Sequence, residues 1–335
     1  MSVTKRSILS PFSKQLCVKV LLLVFMVVRL HAQADYVEYH HQTIEAEELI
    51  SLEKYELALN RYNELFENYD FVFLRDAKIA AQLALQVQDT AQAFDHIRRG
   101  MKHGWQLKAV KKNSFLKPLR KHESWKVLEK EANGLADQYE QGLNGDLRKQ
   151  VHEMYKKDQK KAMGALLRIG NKAQESYGSE KFAPHSEIQM KELNAILDQY
   201  GYPGEKLIGN NYWMSTVISH HNSISKEYVA NDTIYSSIRP VLIHSIQSGE
   251  ISPFEFALID DWKKAVVSER SSPGYGYLNA PKSNSLLETN ALREKIGLRS
   301  VELRNALIDV EQKTGMNIYL PDWVNGKITI ESPSE

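Results

Sequence analysis

Residues 53–66, EKYELALNRYNELF, and residues 88–101, QDTAQAFDHIRRGM, decide the reading of the fold. Aligned with each other, they bring Ala58 and Ala93 into register, 35 residues apart. Each alanine follows another by 12: Ala46 before Ala58, and Ala81 before Ala93. Around them, Ile44, Leu49, Leu52, Tyr55, Leu59, Tyr62, Leu65 and Phe66, then Ile79, Leu83, Leu85, Phe94 and Ile97, fall mostly at helical spacing. A helix pair cannot bury its apolar face alone, and small residues let a neighbouring pair approach. Residues 36–105 are therefore predicted to form two helical hairpins.

A period of about 34 residues with small residues at helix contacts resembles tetratricopeptide repeats, without their consensus Trp and Gly. The resemblance implies a stacked surface that takes a peptide or protein partner. Two units are fewer than such arrays usually hold, so Phe115, Leu119, Trp125, Leu128, Leu135 and Tyr139 are read as a capping helix. Asn144-Gly145-Asp146 breaks the pattern, with Asp146 as the expected N-cap of the next helix.

The N-terminus reads differently. Lys5, Arg6, Lys14 and Lys19 form a basic leader, Val20–Val28 is apolar throughout, and Ala32-Gln33-Ala34 supplies small residues. That order predicts a cleavable export signal over residues 1–34 and a periplasmic or secreted product. The apolar run is too short to span a bilayer, and no later run is long enough. Cleavage would remove Cys17, the only cysteine, and with it thiol and disulfide chemistry. It would also remove five basic residues, leaving 38 against 42 acidic, a net of −4. That balance argues against a nucleic-acid partner.

From Leu147 a second helical block is expected. Its helices are read from Leu147, His185, Tyr212, Thr233, Pro253, Leu286 and Val301, with Pro240 as a kink or start within the Thr233 segment. The predicted organisation is a hairpin domain over 35–143, a helical domain over 146–320 and a tail over 321–335. The fold class is mainly α, with a small terminal β-hairpin expected around Asn325-Gly326.

GxSxG, Walker-A, GxGxxG and HExxH patterns are absent. Ser223-Ile224-Ser225-Lys226 and Lys313-Thr314-Gly315 spell SxxK and KTG, but KTG here ends a helix instead of lying on a strand. The histidines carry more. His220-His221 closes one helix, His244 lies on the next, and Asp260-Asp261 on the one after. An imidazole beside carboxylates can move a proton or bind a metal. Successive helical residues point about 100° apart, so His220 and His221 are expected to serve different surroundings. His220 and His244 are the metal candidates; no cofactor is assigned. His40, His41 and His103 read as surface residues, and the aromatic set Tyr200, Tyr202, Tyr212, Trp213, Tyr275 and Tyr277 as core or as a ligand-facing wall.

The order of short motifs over residues 147–308 resembles a bacterial family known only as a domain of unknown function. They are Asp158-Gln159, Gly201-Tyr202-Pro203-Gly204, Ser219-His220 where that family has Gln-His, Gly249-Glu250, Asp260-Asp261 or Asp261-Trp262 where it has Asp-Arg, Tyr275-Gly276, and Arg293 through Leu298. The resemblance implies that Asp158, Gln159, His220 and Asp260 or Asp261 approach one another. Two functions stay open: an interaction protein whose hairpins bind a peptide or protein, and a hydrolase-like or small-ligand-binding domain with an Asp/His pocket in the C-terminal half.

Overall fold

The computed structural model describes residues 35–321 and 323–332, and the expected leader lies outside them. The first helix, α1 (Tyr36–Ser51), starts where the Asp35 carboxylate accepts the Val37 N–H at 2.9 Å. It packs on α2 (Tyr55–Asn68). A second pair follows: α3 (Leu74–Gln86), then α4 (Thr90–Lys102), which Asp89 caps through the Gln92 N–H. Ala46, Ala58, Ala81 and Ala93 are all fully buried, as their spacing implied. Helix α5 (Glu123–Gly142) lies against α4 and adds Trp125, Leu128 and Leu135 to this first core.

The second core is built by α6 (Gly145–Leu166), α7 (Ala183–Tyr200), α8 (Trp213–His221), α9 (Ile234–Gln247), α10 (Pro253–Val267) and α11 (Leu286–Glu294). Helix α8 packs against α6, α7 and α10. Asn144, not Asp146, caps α6. Its backbone is extended and its side chain accepts the Leu147 N–H at 3.0 Å, while Asp146 already lies in the first turn. Pro240 lies inside α9, which begins at Ile234.

The last helix, α12 (Val301–Thr314), does not stay with the second core. It packs on α1, and Leu307, Ile308 and Val310 join the first apolar cluster together with Met316, Ile318 and Leu320. Along the chain the first cluster runs to Leu135 and the second begins at Leu147, but residues 307–320 return to the first. Residues 316–320 run as an irregular strap over α3. The Gln82 amide grips the strap backbone at two points, donating to the Asn317 carbonyl at 2.7 Å and accepting its N–H at 2.9 Å. Arg75 donates to the Tyr319 carbonyl at 3.1 Å. The strap thus occupies the Gln82 and Arg75 side chains on the α3 surface.

No strand forms among the described residues beyond an isolated bridge between Lys282 and Glu331, so the expected terminal β-hairpin is not there. Side chains satisfy that backbone instead. Arg304 donates to the carbonyls of Val324 and Gly326, and Asn305 both donates to and accepts from Ile328. Among the described residues, no helix is long and apolar enough to cross a membrane.

A buried ion cluster holds α12 and its approach to the hairpins. Glu47 of α1, with no exposed surface, accepts from Arg75 of α3 at 2.6 Å and from Arg299, just before α12, at 2.8 Å. Burial alone would raise its pKa, but the two guanidiniums outweigh this and hold it below the ordinary 4.5. Close approach is helped by Gly297, whose φ of +71° suits glycine and where a Cβ would meet His40 Cβ at 2.7 Å. Truncation of Glu47 to Ala strands two buried cations and is expected to cost about 3–5 kcal/mol in urea unfolding. Because the folded pKa is depressed, the wild-type contribution is present above 4.5 and is lost as pH falls through the folded value. Glu47→Gln should lose that part of the acid dependence, read as a smaller drop in unfolding midpoint below pH 4.5.

Candidate functional site

Asp158 and His220 meet. Asp158 lies on α6, fully buried, and its Oδ2 stands 2.5 Å from His220 Nδ1 at the end of α8. Gln159 touches the same oxygen only at 3.4 Å. Asp158 Oδ1 is buried without a hydrogen-bond partner among the described residues. The pairing fixes the imidazole and leaves Nε2 as the nitrogen not taken up by Asp158. The His220 side chain is 30% exposed and borders a cleft of about 280 Å³.

That cleft is mostly apolar. Phe254, Leu258 and Trp262 of α10 form one wall, and Trp323 lies edge-on to Trp262 at a ring separation of 5.9 Å. Tyr212 and the hydroxyls of Ser215 and Ser219 border it too. Glu255 also faces this space. Burial raises its carboxyl to about 7, opposed by hydrogen bonding to Tyr202, whose hydroxyl donates at 2.6 Å. A fixed imidazole and a carboxyl raised by burial thus border one mostly apolar cleft.

The other candidates are engaged elsewhere. Asp260 takes Arg239 of α9 through both carboxylate oxygens, at 2.7 and 3.1 Å, and accepts the Tyr235 hydroxyl at 2.9 Å. Its arginine partner therefore arrives from a different helix instead of the next residue. Asp261 points into the loop after α10 and accepts the N–H groups of Tyr275 at 2.6 Å and Tyr277 at 3.0 Å. Burial raises it to about 7 despite those bonds. From the other side, buried Arg293 donates to the carbonyls of Tyr275 and Arg299 and to the Tyr277 hydroxyl. Asp261, Arg293 and the Tyr275–Tyr277 turn are thus one brace. Glu250 plays a similar part by accepting the Tyr202 N–H at 2.9 Å. His244 is exposed and contacts only its neighbour Gln247, at 3.1 Å, so it does not join His220. Among the described residues, no group of three or more His, Cys, Asp or Glu side chains is arranged to hold a metal.

Sequence reasoning missed a second histidine cluster. His221 turns away from His220, as the helical geometry required. Its Nδ1 shares a hydrogen bond with Ser186 Oγ at 2.9 Å, and its Nε2 lies 3.3 Å from Asp232, out of line for a hydrogen bond. Serine, histidine and aspartate in contact suggest a nucleophile. However, Ser186 and His221 have no exposed surface, so no substrate reaches the hydroxyl. The cluster ties α7 to α8 and to the short helix Lys226–Asn231, which ends at Asp232. Nothing in the local sequence marked Ser186 as their partner. His40 was also misread as a surface residue. It is buried against Phe73, and burial lowers its pKa to about 3. Of the aromatic set, Tyr202, Tyr275 and Tyr277 are buried, while Tyr212 lines the cleft.

Substitution of Ser186 by Ala should cost about 1–3 kcal/mol of stability by leaving a buried imidazole nitrogen unbonded. Ligand affinity at the His220 cleft should not change, and parallel urea unfolding and binding titrations check both.

Comparisons of the chain with protein-family models, with curated proteins and with solved structures return no match.

Proposed function

We propose that this protein binds a small, mainly apolar ligand in the cleft between α8 and α10, with His220 as the hydrogen-bonding group that orients it. One observation carries the reading: a buried carboxylate, Asp158, holds the His220 ring at the edge of a mostly apolar cleft. Pockets for small molecules are typically apolar, with a few fixed polar groups that set orientation. Trp262, Trp323, Phe254 and Leu258 supply the apolar walls, and His220 with Glu255 supplies the polar groups. A peptide partner on the hairpins is the weaker reading, because the strap Met316–Leu320 already takes the hydrogen-bonding groups of Gln82 and Arg75.

Benzyl alcohol, neutral and with one hydroxyl, is a suitable probe, read by tryptophan fluorescence. Saturable binding is expected. Loss of one hydrogen bond of about 1 kcal/mol in His220→Ala should weaken it about fivefold, and Trp262→Ala should weaken it further. Asp158→Asn should fall between wild type and His220→Ala, because the ring stays but its orientation is less tightly held. An absence of saturable binding, or equal affinity in all variants, would overturn the reading.

A further inference from the structure

A second cavity, of about 470 Å³, lies where α1 and α3 face the segment leading into α12. It shares Tyr212, Phe254 and Pro321 with the His220 cleft but has a different character. Phe73, Leu298 and Leu320 give it apolar walls; three cations border it, Arg75, Lys78 and Arg299, and so do two acids, Asp76 and Glu205.

The cations are not equivalent. Arg75 and Arg299 are both taken by Glu47, and Arg75 also meets Asp76 at 3.3 Å. Lys78 forms no ion pair among the described residues. Its ammonium lies over the Tyr319 ring at 4.8 Å and near Trp105 at 5.9 Å. Removal from water pushes it below its ordinary 10.5. The acid closest in influence is Glu205, whose carboxyl accepts the Leu74 N–H at 2.7 Å and which burial raises to about 8.

We propose that this cavity is a second ligand site, selective for a small organic monocarboxylate, with Lys78 as its counter-ion. An ammonium held among aromatic rings and in no direct ion pair gains a charge-assisted hydrogen bond when a carboxylate arrives. A single uncommitted cation suits a monoanion; a phosphate dianion would need a second, and both arginines are already paired. The apolar walls suit an organic body, and the volume lies within the range of small-molecule pockets.

A matched series separates charge from shape: 3-phenylpropionate, 3-phenylpropanamide and 3-phenylpropylammonium, titrated calorimetrically into the purified full chain. The carboxylate should bind at least about tenfold tighter than the amide, which corresponds to 1.4 kcal/mol, and the ammonium more weakly than either. Lys78→Met should abolish the preference for the carboxylate, and Lys78→Arg should keep it. Thermal unfolding checks that both variants are folded; should Lys78→Met fail to fold, the wild-type preference and the Arg variant still decide. Equal binding of carboxylate and amide by the wild type, or a preference that survives in folded Lys78→Met, overturns the proposal. The test is independent of the His220 cleft, whose probe is neutral and whose variants leave Lys78 untouched.

Discussion

The carboxylate of Glu47, shared between Arg75 and Arg299, is the contact on which the arrangement depends. It joins α1, α3 and Arg299 at the approach to α12, 252 positions away in the chain. Ions removed from water cost several kcal/mol each, and only close pairing with further hydrogen bonds offsets that. Here the pairing is close: two guanidiniums face one fully buried carboxylate. Such a cluster stabilises one geometry more than it stabilises folding in general, because any displacement of α12 separates charges inside the protein.

That geometry sets up both cavities. With Arg299 fixed, α12 lies along α1 and the chain beyond it runs back across α3 as the strap. Tyr319 then comes to rest beneath Lys78, while Pro321 and Trp323 reach the edge of the His220 cleft. The Lys78 cavity is lined by the hairpins, by α10 and by the strap; the His220 cleft takes Trp323 from the chain just past it. The C-terminal segment is therefore part of each wall, not an appendage.

Much of this was legible in the sequence where a local rule applies. The alanines at intervals of 12 and 35 marked the hairpin contacts because helix approach depends only on side-chain size. The neighbours His220 and His221 were separable because helical projection is fixed at about 100° per residue. The resemblance in motif order implied that Asp158, Gln159, His220 and Asp260 or Asp261 approach one another; Asp158 and His220 lie 2.5 Å apart, whereas Asp260 pairs with Arg239 and Asp261 with the Tyr275–Tyr277 turn. Other motifs in that order have structural tasks: Asp261 and Arg293 brace one turn, and Glu250 closes another. What was not legible depends on long-range contact. Nothing local tells Glu47 that it meets Arg299, Asp260 that it meets Arg239, or Ser186 that it meets His221. The Asn325-Gly326 turn signal was outweighed because Arg304 and Asn305 satisfy the backbone there before a second strand can.

Amide hydrogen exchange of the strap addresses the closure most directly. The N–H groups of Asn317, Ile318 and Tyr319 are all bonded to side chains. If the strap belongs to the hairpin core, peptides spanning residues 316–320 should exchange as slowly as those of α1 and α3, and speed up together with α1 in Glu47→Ala. Exchange of the strap at the rate of an open loop, while α1 and α3 stay protected, would contradict the closure and with it the walls of both cavities.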